Sequence, residues 1–82
     1  MIYIAAFYTH YGAMKFYKAC QERGVPVKLM PTPRKLSASC GVCAQFEAEQ
    51  PVFPPGQYDL YDLEDYYLVS ENGEYSKWTF AN

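Results

Sequence analysis

The chain has 82 residues, a net charge of −2 and 50% hydrophobic residues, which fits one small domain with one core and excludes global disorder. Its seven Lys and Arg are scattered, so no basic stripe exists to neutralise phosphates and nucleic-acid binding is not expected. No apolar run approaches the roughly 18 residues needed to cross a bilayer.

The apolar start, Met1 to Tyr8, lacks the basic region and small-residue cleavage site of a signal peptide. A cytoplasmic location is expected, and three cysteines, an odd number, fit a reducing compartment better than a disulfide framework. Nine tyrosines supply apolar area with a polar tip, which suits a half-buried sheet face or the interface of a homodimer.

Ile2 to Tyr8 is a β-branched and aromatic run and predicts a strand buried on both faces. Thr9 follows as an N-cap. From Gly12 to Arg23 the apolar residues Ala13, Phe16, Tyr17 and Cys20 recur at helical spacing, which predicts an amphipathic helix. Gly24 ends it and Pro26 prevents its continuation. Val25 to Met30 reads as a second strand.

Pro31-Thr32-Pro33-Arg34 is extended, because a residue before proline is pushed out of the helical region. Val42 to Phe46 alternates as a third strand, with Val42, Ala44 and Phe46 on one face. Ala48 to Gln57 holds three prolines and a glycine, an irregular connection. Tyr58 to Asp65 is acidic and aromatic and fits a short helical turn. Tyr66–Val69 and Tyr75–Phe80 flank Asn72-Gly73, a strong hairpin signal.

A strand–helix–strand opening makes the first two strands parallel, so their C-terminal ends share one edge of the sheet. Thr9 and His10 enter the helix at that edge, and the Pro31–Gly41 loop leaves from it. Topology alone therefore brings His10 and Cys40 to the same end.

Any chemistry centres on Cys40-Gly41-Val42-Cys43. A carrier or redox thiol at Cys40 needs thiolate character, which Arg34, Lys35 or loop N–H groups would supply. Ser37 and Ser39 offer hydroxyls, and Gly41 lets the backbone approach a bound group. Cys43 could attack a mixed disulfide or persulfide on Cys40. Against this, Cys43 on a strand can be a small surface residue, His10 a solvated first-turn residue and Arg34 a solvated loop charge. Cys20 lies on the apolar helix stripe and reads as core. Thioredoxin-type motifs open a helix, whereas this one leads into a strand. Cys20, Cys40, Cys43 and the single His10 make a weak zinc set, so neither metal nor other cofactor is expected.

Met30-Pro31-Thr32-Pro33-Arg34-Lys35-Leu36-Ser37-Ala38-Ser39-Cys40-Gly41, preceded by Phe7-Tyr8-Thr9-His10, resembles the signature of the selenium/sulfur carrier protein-like family, a small bacterial family long counted as a domain of unknown function. The resemblance covers roughly Met1 to Glu47. It implies a cysteine that carries sulfur or selenium as a persulfide or selenopersulfide. That cysteine would be Cys40, in a loop shaped by Pro33, Arg34, Ser37, Ser39 and Gly41; Cys43 has no counterpart in the signature and rests on spacing alone. The implied fold is α+β and ferredoxin-like with a helix after the third strand; here the proline-rich Ala48–Gln57 shortens or removes that helix, leaving a ferredoxin-like half (βαββ) followed by a C-terminal β-hairpin, all in one domain over residues 1–82.

The leading functional expectation is a carrier and not a catalyst in its own right. It would take its chalcogen from a cysteine desulfurase or a selenium-donating enzyme and pass it to an acceptor enzyme. Two rivals stay open: a non-catalytic tyrosine-rich interaction module with Cys40 incidental, and a thiol–disulfide redox protein using Cys40 and Cys43. Cys40 is expected to be accessible and more reactive than Cys20, with His10 and Arg34 beside it.

Overall fold

A computed structural model describes residues 1–80. The elements are β1 (Ile2–Phe7), α1 (His10–Glu22), β2 (Val27–Pro31), β3 (Val42–Glu47), a 3₁₀ helix (Pro55–Tyr61), β4 (Leu63–Val69) and β5 (Tyr75–Trp78). They make an α+β domain with one five-stranded antiparallel sheet in the order β2-β3-β1-β4-β5. Both β1 and β2 pair antiparallel with β3. They therefore run parallel to one another, as expected, but with β3 inserted between them.

Local chemistry fixes the ends of α1. Thr9 is extended and its Oγ1 accepts from the Gly12 N–H at 2.9 Å, an N-cap that satisfies one of the helix's free donors. At the other end Gly24 takes φ +73°. Its N–H donates to the Gln21 carbonyl, and the Val25 N–H donates to that of Cys20, the two bonds of a Schellman ending. Because Val25 is used in this ending and Pro26 follows, β2 begins at Val27 and not at Val25.

The core lies between the sheet and α1. Tyr3, Ala5 and Phe7 of β1, Ala44 and Phe46 of β3, and Leu63 and Tyr66 of β4 face Ala13, Phe16 and Cys20. Phe16 is at its centre, with ring centroids 5.2 Å from Phe7, 5.3 Å from Phe53 and 5.5 Å from Phe46, tilted and edge-on arrangements that aromatic quadrupoles favour. Gly12 is required here. A Cβ would collide with the Tyr61 carbonyl, so only glycine lets the start of α1 pack on the segment entering β4.

The expected strand at Tyr66–Val69 begins earlier, at Leu63, because Leu63 is buried in the core and its pairing opposite Phe7 extends the ladder. The register slips between Ala6 and Phe7, leaving Glu64 as the extra residue of a β-bulge. The β4–β5 hairpin turns through Ser70–Gly73, closed by Gly73 N–H to the Ser70 carbonyl at 2.9 Å. Within this turn only Gly73 has positive φ, +82°, so the turn is the longer type with a left-handed glycine and not the two-residue Asn-Gly turn.

No helix among the described residues is long and apolar enough to cross a membrane.

Candidate functional site

The second face of the sheet is covered by chain 32–41, which leaves β2, crosses back over the strands and re-enters as β3. Its two ends are tied by one residue. Thr32 N–H donates to the Gly41 carbonyl at 3.0 Å, and Thr32 Oγ1 donates to the Cys40 carbonyl at 2.9 Å. A turn closed by Leu36 N–H to the Pro33 carbonyl at 3.0 Å points Leu36 inward, where it packs with Ile4 and Cys43. The result is a compact loop with close ends and its own small core, a form that recurs at functional sites.

Two bonds hold the loop to β4. The Ser39 N–H donates to Glu64 Oε1 at 2.9 Å, and the Tyr67 hydroxyl lies 3.5 Å from the Ser37 carbonyl. The bulge aims Glu64 at the loop. One N–H beside the candidate carrier residue thus already has an anionic partner.

Cys40 is 7% exposed, which corrects the expectation of an accessible thiol. Its position in a polar stretch suggested exposure, but the fold-back of the loop shields it. Cys43 is fully buried. It does face away from Val42 and Ala44, as strand alternation requires, yet the loop covers that face, so it is not a surface residue. Its Sγ is 3.8 Å from the Pro31 carbonyl. Burial pushes its thiol above the ordinary range, the Thr32 hydroxyl offsets this in part, and charge on Cys40 raises it further. The two cysteines therefore share one neighbourhood, Cys40 tied through its carbonyl to Thr32 and Cys43 lying against the carbonyl of Pro31. Cys20 lies on the opposite side of the sheet, wholly buried under α1. Burial pushes its thiol up to about 11, slightly offset by Arg23. All three cysteines are free.

The other expected residues are near the same sheet edge but not in one cluster. His10 opens α1 and is exposed, and Arg34 and Lys35 are exposed on the loop's turn. No hydrogen bond or ion pair among the described residues joins His10, Arg34 and Cys40. The start of α1 faces Tyr61 and Asp62: Thr9 Oγ1 donates to Asp62 Oδ2 at 2.7 Å, and Tyr8 N–H donates to the Asp62 carbonyl at 2.8 Å. Ser37 and Ser39 are exposed; Gly41 has open space beside it.

Sequence reasoning did not single out Thr32 and Glu64 as site residues. Thr32 carried a faint signal, a hydroxyl locked between two prolines. Glu64 carried none, because its reach depends on a bulge that only the paired sheet defines.

The fold is thus a small α+β domain in which a loop bearing Cys40 lies over one face of the sheet and α1 over the other. The family model described as Putative Se/S carrier protein-like matches residues 2–52, and the chain belongs to that family. The matched segment runs from β1 through the loop and β3 and stops before the 3₁₀ helix. No curated protein and no solved structure matches the chain significantly.

Proposed function

We propose that this protein carries sulfur or selenium as a persulfide or selenopersulfide on Cys40, in the cytoplasm, between a donor such as a cysteine desulfurase and an acceptor enzyme. The observation that carries the reading is the family match over the very segment that builds the loop. The loop's architecture supports it. A carrier must hold a reactive sulfane sulfur away from stray thiols, and a thiol only 7% exposed under a tied loop is suited to that.

In this reading Cys40 is the carrier atom, and Ser37, Ser39 and Gly41 form the wall around it. Arg34 and His10, exposed at the same edge, guide an anionic partner surface and do not touch the thiol. The domain is a ferredoxin-like half. The split strand–helix–strand unit, with β3 between β1 and β2 and β4 on the far side of β1, supports this, with the 3₁₀ helix standing where a second α-helix would lie. A homodimer through the tyrosine-bearing strands remains part of the proposal.

The test is intact mass after incubation with a cysteine desulfurase and cysteine. The expected result is a gain of one sulfur atom, absent in Cys40→Ala. Absence of any gain from several donors, chemical and enzymatic, would turn the assignment toward an interaction module.

A further inference from the structure

We propose that Cys43 is a resolving thiol that unloads the carrier, attacking the Cys40 persulfide and releasing the terminal chalcogen as hydrosulfide or hydroselenide. This rests on the carrier reading and adds to it a way to deliver the cargo as a small anion, with no acceptor thiol entering the loop.

Three observations carry it. Cys43 sits under the same loop as Cys40, fully buried and facing the loop and not the α1 core. The Thr32 hydroxyl donates to the Cys40 carbonyl, and the Cys43 thiol lies 3.8 Å from the carbonyl of the preceding residue, Pro31, so adjacent residues of one strand end hold both cysteines. Finally, the segment Ser39–Gly41 is bent, and β3 begins only at Val42. An extended chain would separate residues three apart by about 10 Å, beyond the roughly 7 Å that a disulfide tolerates between Cα atoms. A bend shortens that span, and Gly41, with nothing near its missing side chain, leaves it free to tighten.

The step balances without an outside oxidant. Cys43, as thiolate, supplies the electron pair for a new bond to Cys40 Sγ. The bond from Cys40 Sγ to the terminal sulfur, which carries its own proton, breaks, and that sulfur leaves with the electron pair as hydrosulfide. The proton lost by Cys43 goes to solvent. The carrier is left as a Cys40–Cys43 disulfide, which an external dithiol would reduce before the next load. Burial holds the Cys43 thiol above its ordinary value, which limits the thiolate available for the attack.

The test uses inorganic polysulfide as the probe. Full-length wild type, Cys43→Ala and Cys43→Ser are loaded, desalted, and followed by intact mass and a sulfide electrode with no reductant present. Wild type should lose its extra sulfur as one equivalent of sulfide and end two hydrogens lighter than the reduced protein. Both variants should keep the adduct about tenfold longer or more. The serine variant fills the space beneath Leu36 should alanine disturb folding. Wild type that keeps its adduct as long as the variants do, or sheds it without forming a disulfide, overturns the proposal. If no adduct forms on any of the three proteins, the carrier reading itself fails, and this result is distinct because nothing is ever loaded.

Discussion

At the scale of the residue, the three cysteines differ in what must open to reach them. Cys40 needs only the loop to lift, Cys43 needs the loop and Leu36 to move, and Cys20 needs α1 to leave the sheet. Openings of increasing size cost increasing free energy. Iodoacetamide labelling of the folded protein, read by peptide mapping, should therefore modify Cys40 first and Cys20 last. Equal rates at Cys40 and Cys20 would mean that the loop is as firmly held as the core. Part of this was legible in the sequence: helical periodicity puts Cys20 in the core, and strand alternation turns Cys43 to the face opposite Val42 and Ala44, though not under a covering loop. The burial of Cys40 was not, since nothing local in Ser37-Ala38-Ser39 announces that the loop folds back. Gly12 gives a second prediction at this scale. Gly12→Ala forces its methyl into the Tyr61 carbonyl and should cost about 2–4 kcal/mol in urea unfolding, although alanine is the better helix former by about 1 kcal/mol. A neutral or stabilising effect would mean that α1 and the Tyr61–Asp62 segment do not pack as described.

At the scale of the element, the legible parts are those governed by short-range rules. Thr9 and Gly24 mark α1, and Gly73 marks the hairpin, because a cap or a left-handed residue is chosen by its own side chain and φ. The start of β4 and the path of residues 32–41 are tertiary outcomes. β4 begins at Leu63 because a core position there outweighs the acidic composition around it, and the loop crosses the sheet because Leu36 finds a hydrophobic seat on Ile4 and Cys43. That seat can be tested. Leu36→Ala removes the loop's largest buried side chain and should cost about 2 kcal/mol, while raising the alkylation rate of Cys43 far more than that of Cys20. Glu64→Gln separates charge from tie: the amide oxygen still accepts from the Ser39 N–H, so loop closure should persist, and the Cys40 alkylation rate should rise as the negative charge bonded to the neighbouring residue is lost. An unchanged Cys40 rate in this variant would place the Glu64 charge outside the reach of the thiol.

At the scale of the whole molecule, one consequence follows from building a small core with tyrosine and cysteine. Burial pushes Tyr3, Cys20, Cys43, Tyr58, Tyr66 and Tyr67 all above their ordinary values. For such groups the unfolded chain loses its proton first as pH rises, while the folded protein retains it. Stability is then fully present below the unfolded value and falls as pH climbs through the folded one. Cys20 is the clearest case: its shift from 9.0 to about 11 corresponds to roughly 2–3 kcal/mol lost between pH 9 and 11. The buried Tyr66 hydroxyl donates to the Phe53 carbonyl at 3.1 Å and adds a further loss above pH 10. Urea midpoints should hence stay level from neutral pH to about 8.5 and drop steeply beyond. Tyr66→Phe tests the cause, because its two effects have opposite signs. Near pH 7 it should cost about 1 kcal/mol, the hydroxyl's bond to Phe53 being lost. Above pH 10 the gap to wild type should close or reverse, since phenylalanine has no proton to lose. Parallel pH profiles for the two proteins would mean that alkaline unfolding arises elsewhere, and that the tyrosine core is not what limits the fold at high pH.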